Sequence, residues 1–182
     1  KEVLKEANKI SKEKASTIKR KDLRNTLTFT IDPDDAKDFD DALSFKKLKN
    51  NNIEIGIHIA DVTHYLDKNT LLDKEAKKRA TSVYLSDRVV PMLPEILSND
   101  LCSLNPNEDK NVFSVLVEID NNYNIKSKEF SKCLINSNER MSYQEAQHVI
   151  ENKNEKLPAD VTITKKKRSL SKELVESILH LN

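Results

Sequence analysis

Glycine is nearly missing from this 182-residue chain, which contains one, Gly56. A phosphate-binding P-loop, a dinucleotide-binding βα turn and an EF-hand calcium loop each need glycine at fixed offsets, where the backbone turns tightly or approaches a ligand. None of the three can be built here. Gly-rich linkers and collagen-like repeats are excluded as well. Tryptophan is absent, and aromatic residues make up 5% of the chain. The two cysteines, Cys102 and Cys133, are too few for a disulfide framework. They point to a reducing, cytoplasmic setting and read as small core residues. The longest near-apolar run, Ile53 to Val62, still carries Glu54, His58 and Asp61. No segment therefore reads as a membrane-spanning helix, and residues 1–30 lack the apolar core of a signal peptide.

Charge is what the chain has in quantity. Lys and Arg number 31, Asp and Glu 30, for a net charge of +1. That balance argues neither for nor against a nucleic-acid partner, but its distribution is uneven. Residues 1–24 hold nine Lys or Arg against four acids, whereas residues 32–41 hold six Asp against one Lys. The length fits roughly one domain, and a hydrophobic fraction of 37% is enough for one core.

Periodicity divides the chain into an α+β pattern. Val3, Leu4, Ala7 and Ile10 recur at helical spacing, so residues 1–16 read as a helix and residues 1–24 as a basic helical connector with a solvated face. Leu27, Phe29 and Ile31 alternate with threonines over 26–32, the mark of a half-buried strand. Pro33 ends it. A second strand runs over Ala42 to Leu48, residues 49–52 turn, and Ile53, Ile55, Ile57 and Ile59 give the clearest alternation in the chain. A short helix follows over Thr70 to Lys78, then extended pieces at Ser82 to Leu85 and Arg88 to Val90 stopped by Pro91 and Pro94. Strands are expected at Val112 to Ile119 and Ile125 to Ser131. Ser142, with Glu145 three residues on, caps a helix over Tyr143 to Ile150. Residues 151–169 read as a polar surface loop, and a last helix begins near Leu170, capped by Ser169 or Ser171. The expected fold is a mixed, mainly antiparallel sheet with flanking helices.

The chemically informative segment is residues 30–43, with carboxylates at Asp32, Asp34, Asp35, Asp38, Asp40 and Asp41. Like charges a few Å apart in a partly desolvated pocket cost on the order of 1–4 kcal/mol per pair. Such a loop either spreads its carboxylates into water, as an acidic surface turn does, or collects a cation. Hard divalent cations take oxygen ligands, and Mg2+ binds through a few carboxylates plus water and substrate phosphate. Two features favour the cation: the loop is wedged between two strongly patterned strands, and it contains Phe39, which a purely solvated turn does not need. An EF-hand beginning at Asp32 fails on Ala36, Lys37 and Leu43. A haloacid-dehalogenase-type site on Asp32 and Asp34 fails because no Gly-Asp pair exists downstream.

The same segment, Thr30-Ile31-Asp32 followed by Ala36-Lys37-Asp38-Phe39-Asp40-Asp41-Ala42, resembles the signature of the ribonuclease II/ribonuclease R family in its catalytic RNB domain. Arg20-Lys21-Asp22-Leu23-Arg24 resembles that family's lead-in, and residues 58–65, 81–85, 91–95 and 97–106 follow its later blocks in order. The wording of residues 36–41 is closer to the ribonuclease R branch, and the likeness covers roughly residues 20–150. It implies a Mg2+-dependent exoribonuclease, with one or two ions and Mn2+ as a substitute, that degrades single-stranded RNA from its 3′ end to nucleoside 5′-monophosphates. The family's catalytic and metal-binding set would be Asp32, Asp38, Asp40 and Asp41, converging on an ion, with Asp40 the most sensitive to loss. Tyr84 would stack on a base near the cleaved end, where the contact is indifferent to sequence. Tyr143 stands where the family has a second RNA-contacting aromatic, and Arg79 and Arg88 could meet phosphates. Without the resemblance Tyr84 reads as a core tyrosine, the arginines as surface charges, and His58 and His64 as structural residues. Ala80 departs from the family's usual glycine, removing an easy φ > 0. The chain is expected to be the N-terminal part of an RNB domain (25–182), monomeric, free of membrane and with little activity alone. The competing expectation is a non-catalytic RNA- or metal-binding module of the same fold.

Overall fold

The computed structural model describes residues 2–10 and 19–181; the part of the expected first helix beyond residue 10 lies outside them. Helix α1 (Glu2–Ile10) precedes a short strand β1 (Lys21–Asp22), then β2 (Thr28–Asp32), β3 (Asp41–Lys47) and β4 (Ile53–Ala60). Helix α2 (Leu71–Arg79), the hairpin of β5 (Val83–Tyr84) with β6 (Val89–Val90), and a π-helical turn over Ile96–Leu101 come next. Strands β7 (Asp109–Ile119), β8 (Ile125–Asn136) and β9 (Glu139–Ser142) lead into α3 (Tyr143–Asn152), the small pair β10 (Lys156–Leu157) and β11 (Arg168–Ser169), and α4 (Lys172–Leu181).

Seven strands form one sheet in the order β1-β8-β7-β4-β3-β2-β9. Its centre is antiparallel, as expected, but β1 runs parallel to β8 and β9 parallel to β2. The parallel pairing sets Thr30 opposite Arg140 and Asp32 opposite Ser142. The end of the sheet that carries the aspartates is therefore built from chain more than a hundred residues downstream.

Ala42 and Leu43 are neighbours in β3 and point to opposite faces. Ala42 joins a core with Ala7 of α1, Leu72 and Ala76 of α2, and Leu97 of the π-helical turn. Leu43 packs against a second core of Phe29, Met141, Val149 of α3 and Leu174 of α4. Thr28 and Thr30 are buried along with Phe29, so β2, expected to be half-buried, is covered on both faces. The isoleucines of β4 show the reverse. Gly56, His58 and Ala60 face inward, while Ile57 and Ile59 are exposed beside Phe113 and Phe130. Alternation in sequence marks a strand but does not say which face is covered, and α3 and α4 pack on the β9–β2–β3 part of this one.

With one glycine, the turns use other residues. Asn51, Asn69 and Asn107 adopt positive φ, a conformation Asn tolerates better than other non-glycine residues. Gly56 has a different reason: a Cβ there would collide with the Ser44 hydroxyl and the His58 ring. The stretch 151–169, read as a surface loop, is more structured than that. It holds the end of α3 and the β10–β11 pair, and it buries Leu157 and Thr162. Ser142 and Glu145 form the expected reciprocal cap of α3, and Ser171, not Ser169, accepts from the Leu174 N–H at the start of α4.

Two buried polar contacts tie the sheet together. Arg20 donates to Asp61 at 2.7 Å with both side chains almost fully buried, fastening the lead-in segment to the end of β4. Breaking one partner of such a pair costs about 3–5 kcal/mol because the other charge is stranded. His58 lies between two hydroxyls, Nδ1 at 2.8 Å from Ser114 Oγ and Nε2 at 2.9 Å from Ser44 Oγ. Both ring nitrogens are thus occupied inside the sheet, a structural role.

Burial pushes the His58 pKa down to about 4. The unfolded chain then binds the proton more tightly than the folded one. Stability supplied by His58 is complete above its unfolded pKa of 6.5 and drains as pH falls toward about 4, by up to about 3 kcal/mol. Urea unfolding across that window should therefore show a steeper loss for the native protein than for His58→Gln. Parallel curves would refute the assignment.

Candidate active site

Asp32 ends β2 and Asp41 begins β3, so the two strands hold the outer members of the aspartate set. Between them the loop is pinned by Phe39, which is buried while its neighbours turn outward. The Phe39 N–H donates to Ser103 Oγ at 2.9 Å, the Ser103 hydroxyl donates to the Lys37 carbonyl at 3.2 Å, and the Leu104 N–H donates to the Phe39 carbonyl at 2.9 Å. With Phe39 inward, Asp38 and Asp40 on either side of it face the solvent side of the loop. The Ala36 N–H closes a turn onto the Pro33 carbonyl, leaving Asp34 and Asp35 exposed at its tip.

The carboxylates act on one another. Partial burial raises the Asp32 pKa, and the charges of Asp41 and Asp38 push it further up while Arg140 opposes them. Partial desolvation raises Asp40 too, with Asp38, Asp41 and Asp32 adding to the effect. All four members of the predicted set thus share one electrostatic neighbourhood. Among the described residues, no group of three or more His, Cys, Asp and Glu side chains already has the geometry to hold a metal ion, so the expected cage is not closed. Mutual repulsion spreads ionised carboxylates. Yet Asp32 Oδ2 is buried without a well-aligned hydrogen bond, with only the Thr30 hydroxyl beside its carboxyl to ease the charge, an acceptor that a cation would satisfy, and four carboxylate donors suit a hard divalent ion. The residues fit Mg2+.

A cleft of about 680 Å³ opens over the loop, lined by Asp32, Asp38, Asp40, Tyr84 and Arg88. Tyr84 is 66% exposed at the tip of the β5–β6 hairpin, and its hydroxyl donates to Asp38 Oδ2 at 3.2 Å. It is not a core residue. Arg88 pairs with Asp87 at the rim. Arg79 is engaged elsewhere, with Glu75 Oε1 and the Pro91 carbonyl at 2.9 Å each, and lines a neighbouring cavity. Tyr143 is exposed at the first position of α3 and lines a shallow groove with Gln144, Gln147 and His148, apart from the aspartates. Of the four proposed RNA contacts, two share the aspartate cleft and two do not. Sequence reading missed Arg140 and Ser103. Ser103 sits inside one of the motif blocks, whereas nothing local in the sequence marks Arg140.

Comparison with known proteins identifies the family. The RNB domain pattern matches residues 20–181, and the chain belongs to the RNB domain family. It is 48% identical over 152 residues to ribonuclease R 1 of Lactococcus lactis, covering 82% of this chain and 19% of that protein. It is 51% identical over 136 residues to DIS3-like exonuclease 2 of Schizosaccharomyces pombe, covering 74% and 15%. Mycoplasma genitalium RNase R, solved in complex with ribose-methylated single-stranded RNA, superposes with a TM-score of 0.76 at 38% identity, covering 84% of this chain and 24% of that one. The chain thus spans about a fifth of the length of these relatives.

Two outcomes are expected. Asp40→Asn removes a carboxylate whose ionised form is disfavoured in the folded state, so it should raise the melting temperature in EDTA near neutral pH. Because the Asp40 pKa is raised, acid protonates it and relieves the same repulsion, so the gap should shrink as pH falls. A lower melting temperature for the variant would refute the repulsion. Ala80, the C-cap of α2, holds φ at 66° despite lacking glycine's freedom, so Ala80→Gly should stabilise the protein by about 1 kcal/mol in urea.

Proposed function

We propose that this chain carries the metal-holding part of a Mg2+-dependent 3′-to-5′ exoribonuclease that hydrolyses single-stranded RNA to nucleoside 5′-monophosphates. The observation that carries this reading is the placement of Asp32, Asp38 and Asp40 in one cleft with the exposed ring of Tyr84. Family membership supports it.

Asp32, Asp38, Asp40 and Asp41 would hold the ion, with Mn2+ an acceptable substitute. It would supply Lewis-acid stabilisation of charge on the phosphate oxygens and an activated water. The protein's own residues do the rest. Asp32 offers a buried carboxylate oxygen from the end of a buried strand, a rigid position. The Tyr84 ring presents a flat face to the terminal base, worth roughly 1–3 kcal/mol whatever the base. Arg88, at the rim of the same cleft, offsets the phosphate charge behind that base. Without a cation, the carboxylates repel the RNA backbone, so substrate entry depends on the ion for electrostatic reasons alone. The open apolar sheet face around Ile57, Ile59, Phe113 and Phe130, together with the share of the relatives that the chain spans, supports a need for further chain in a working enzyme.

The test uses unstructured RNA labelled at its 3′ end. Full-length protein with Mg2+ should release labelled mononucleotide, EDTA should stop it, and the 182-residue chain alone should release little. Asp40→Asn in the full-length protein should lower the rate by at least ~10²-fold with RNA affinity nearly unchanged. Robust release by that variant would overturn the catalytic reading in favour of a binding module.

A further inference from the structure

The loop between β2 and β3 has two halves, and they are held differently. Phe39 and Ser103 anchor the second half. The first half, residues 33–36, has one internal turn bond and three backbone carbonyls that converge on a single nitrogen. Arg140 Nη2 donates toward the carbonyls of Pro33, Asp34 and Ala36 at 3.1, 2.8 and 3.3 Å. The same guanidinium lies over the Phe39 ring, 4.9 Å from its centroid. One side chain therefore touches both halves of the loop, and it comes from β9, where Arg140 is the register partner of Thr30.

We infer that Arg140 is a positioning residue that clasps the aspartate loop and fixes the spacing of the carboxylates that hold the metal ion. The inference rests on the metal-site reading above. Chemistry explains the residue type. A guanidinium is planar and permanently charged, stacks on an aromatic face and presents several donors at fixed angles. Lysine has the charge but neither the plane nor the reach. A clasp among mutually repelling carboxylates also gains from being cationic, because its charge opposes the repulsion acting on Asp32. Arg140 is itself held: the Arg168 Nη2 donates to its backbone carbonyl at 3.4 Å, and Arg168 in turn pairs with Glu139 and with the buried Glu145 of the α3 cap. The hydrogen bonds of the Arg140 side chain to other described residues go to the loop backbone, which separates this role from direct contact with RNA.

The experiment compares full-length wild type with Arg140→Met, which keeps the stem and removes every donor, Arg140→Lys, and Val149→Ala. Val149 is fully buried in the second core, away from the loop, so its truncation reports the effect of general destabilisation. Mn2+ binding is measured by calorimetry without RNA, and hydrogen exchange follows the amides of residues 34–38. Arg140→Met should weaken Mn2+ binding by about 10- to 100-fold, the usual effect of losing a group that orients metal ligands. It should also speed exchange in the loop. Arg140→Lys should fall between it and wild type, which keeps the test valid if the methionine variant folds poorly. Val149→Ala should lower the melting temperature yet leave Mn2+ affinity and loop exchange alone. Wild-type Mn2+ affinity in Arg140→Met, or an equal loss in Val149→Ala, would overturn the assignment. Failure of the wild type to bind Mn2+ would instead sink the metal-site reading, and loop exchange would then decide alone whether Arg140 clasps the segment.

Discussion

Four carboxylates share one electrostatic neighbourhood, each driving the others away, and much of the architecture around them restrains them against that repulsion. The outer two are fixed by strand ends, where backbone pairing leaves little freedom. The inner two are aimed by the burial of Phe39 between them, since a side chain locked inward forces its neighbours out. Ser103 ties the backbone on both sides of that ring. A loop left to its electrostatics would open toward water. This one is restrained from below by a hydrophobic anchor and from the side by an arginine.

The parts of the site come from well-separated stretches of chain. The aspartates lie at the junction of β2 and β3, Tyr84 on the β5–β6 hairpin 46 residues after Asp38, and the clasp on β9. What brings the clasp near is the parallel pairing of β9 with β2. A sheet running antiparallel throughout would put different residues at that edge. The capping box of α3 belongs to the same construction: Glu145 closes the helix start and also receives Arg168, so the helix that covers Phe29 is joined to the strand that carries Arg140.

Much of this could be read from the residues. The alternation over 26–32 and 53–60 marked strands, the spacing of Ser142 and Glu145 a capped helix, and the burial-prone Phe39 among the aspartates a held loop. The unreadable parts share a cause: they depend on who lies beside whom across the sheet. Period-two patterning is silent about which face is covered, so the isoleucines of β4 could be seen to alternate but not to point outward. Arg140 carries no local signal, because its carbonyl partners lie more than a hundred residues away. Tyr84 and Tyr143 look alike in sequence, and only the hairpin at Tyr84 opens onto the aspartates. Ala80 shows a milder mismatch, where the backbone keeps a conformation its side chain does not favour because α2 and the following segment fix it.

The clasp has a consequence for how the protein comes into being. Arg140 leaves the ribosome roughly a hundred residues after the loop it grips, since its three carbonyl partners lie 104 to 107 positions earlier. At about 5–20 residues per second that is an interval of roughly 5–20 s, during which the nascent acidic loop has its strands but no clasp. Contacts of such long range also slow folding. The emerging chain would therefore complete the hold on its aspartate loop late, after the transcript's segment encoding β9 has been read.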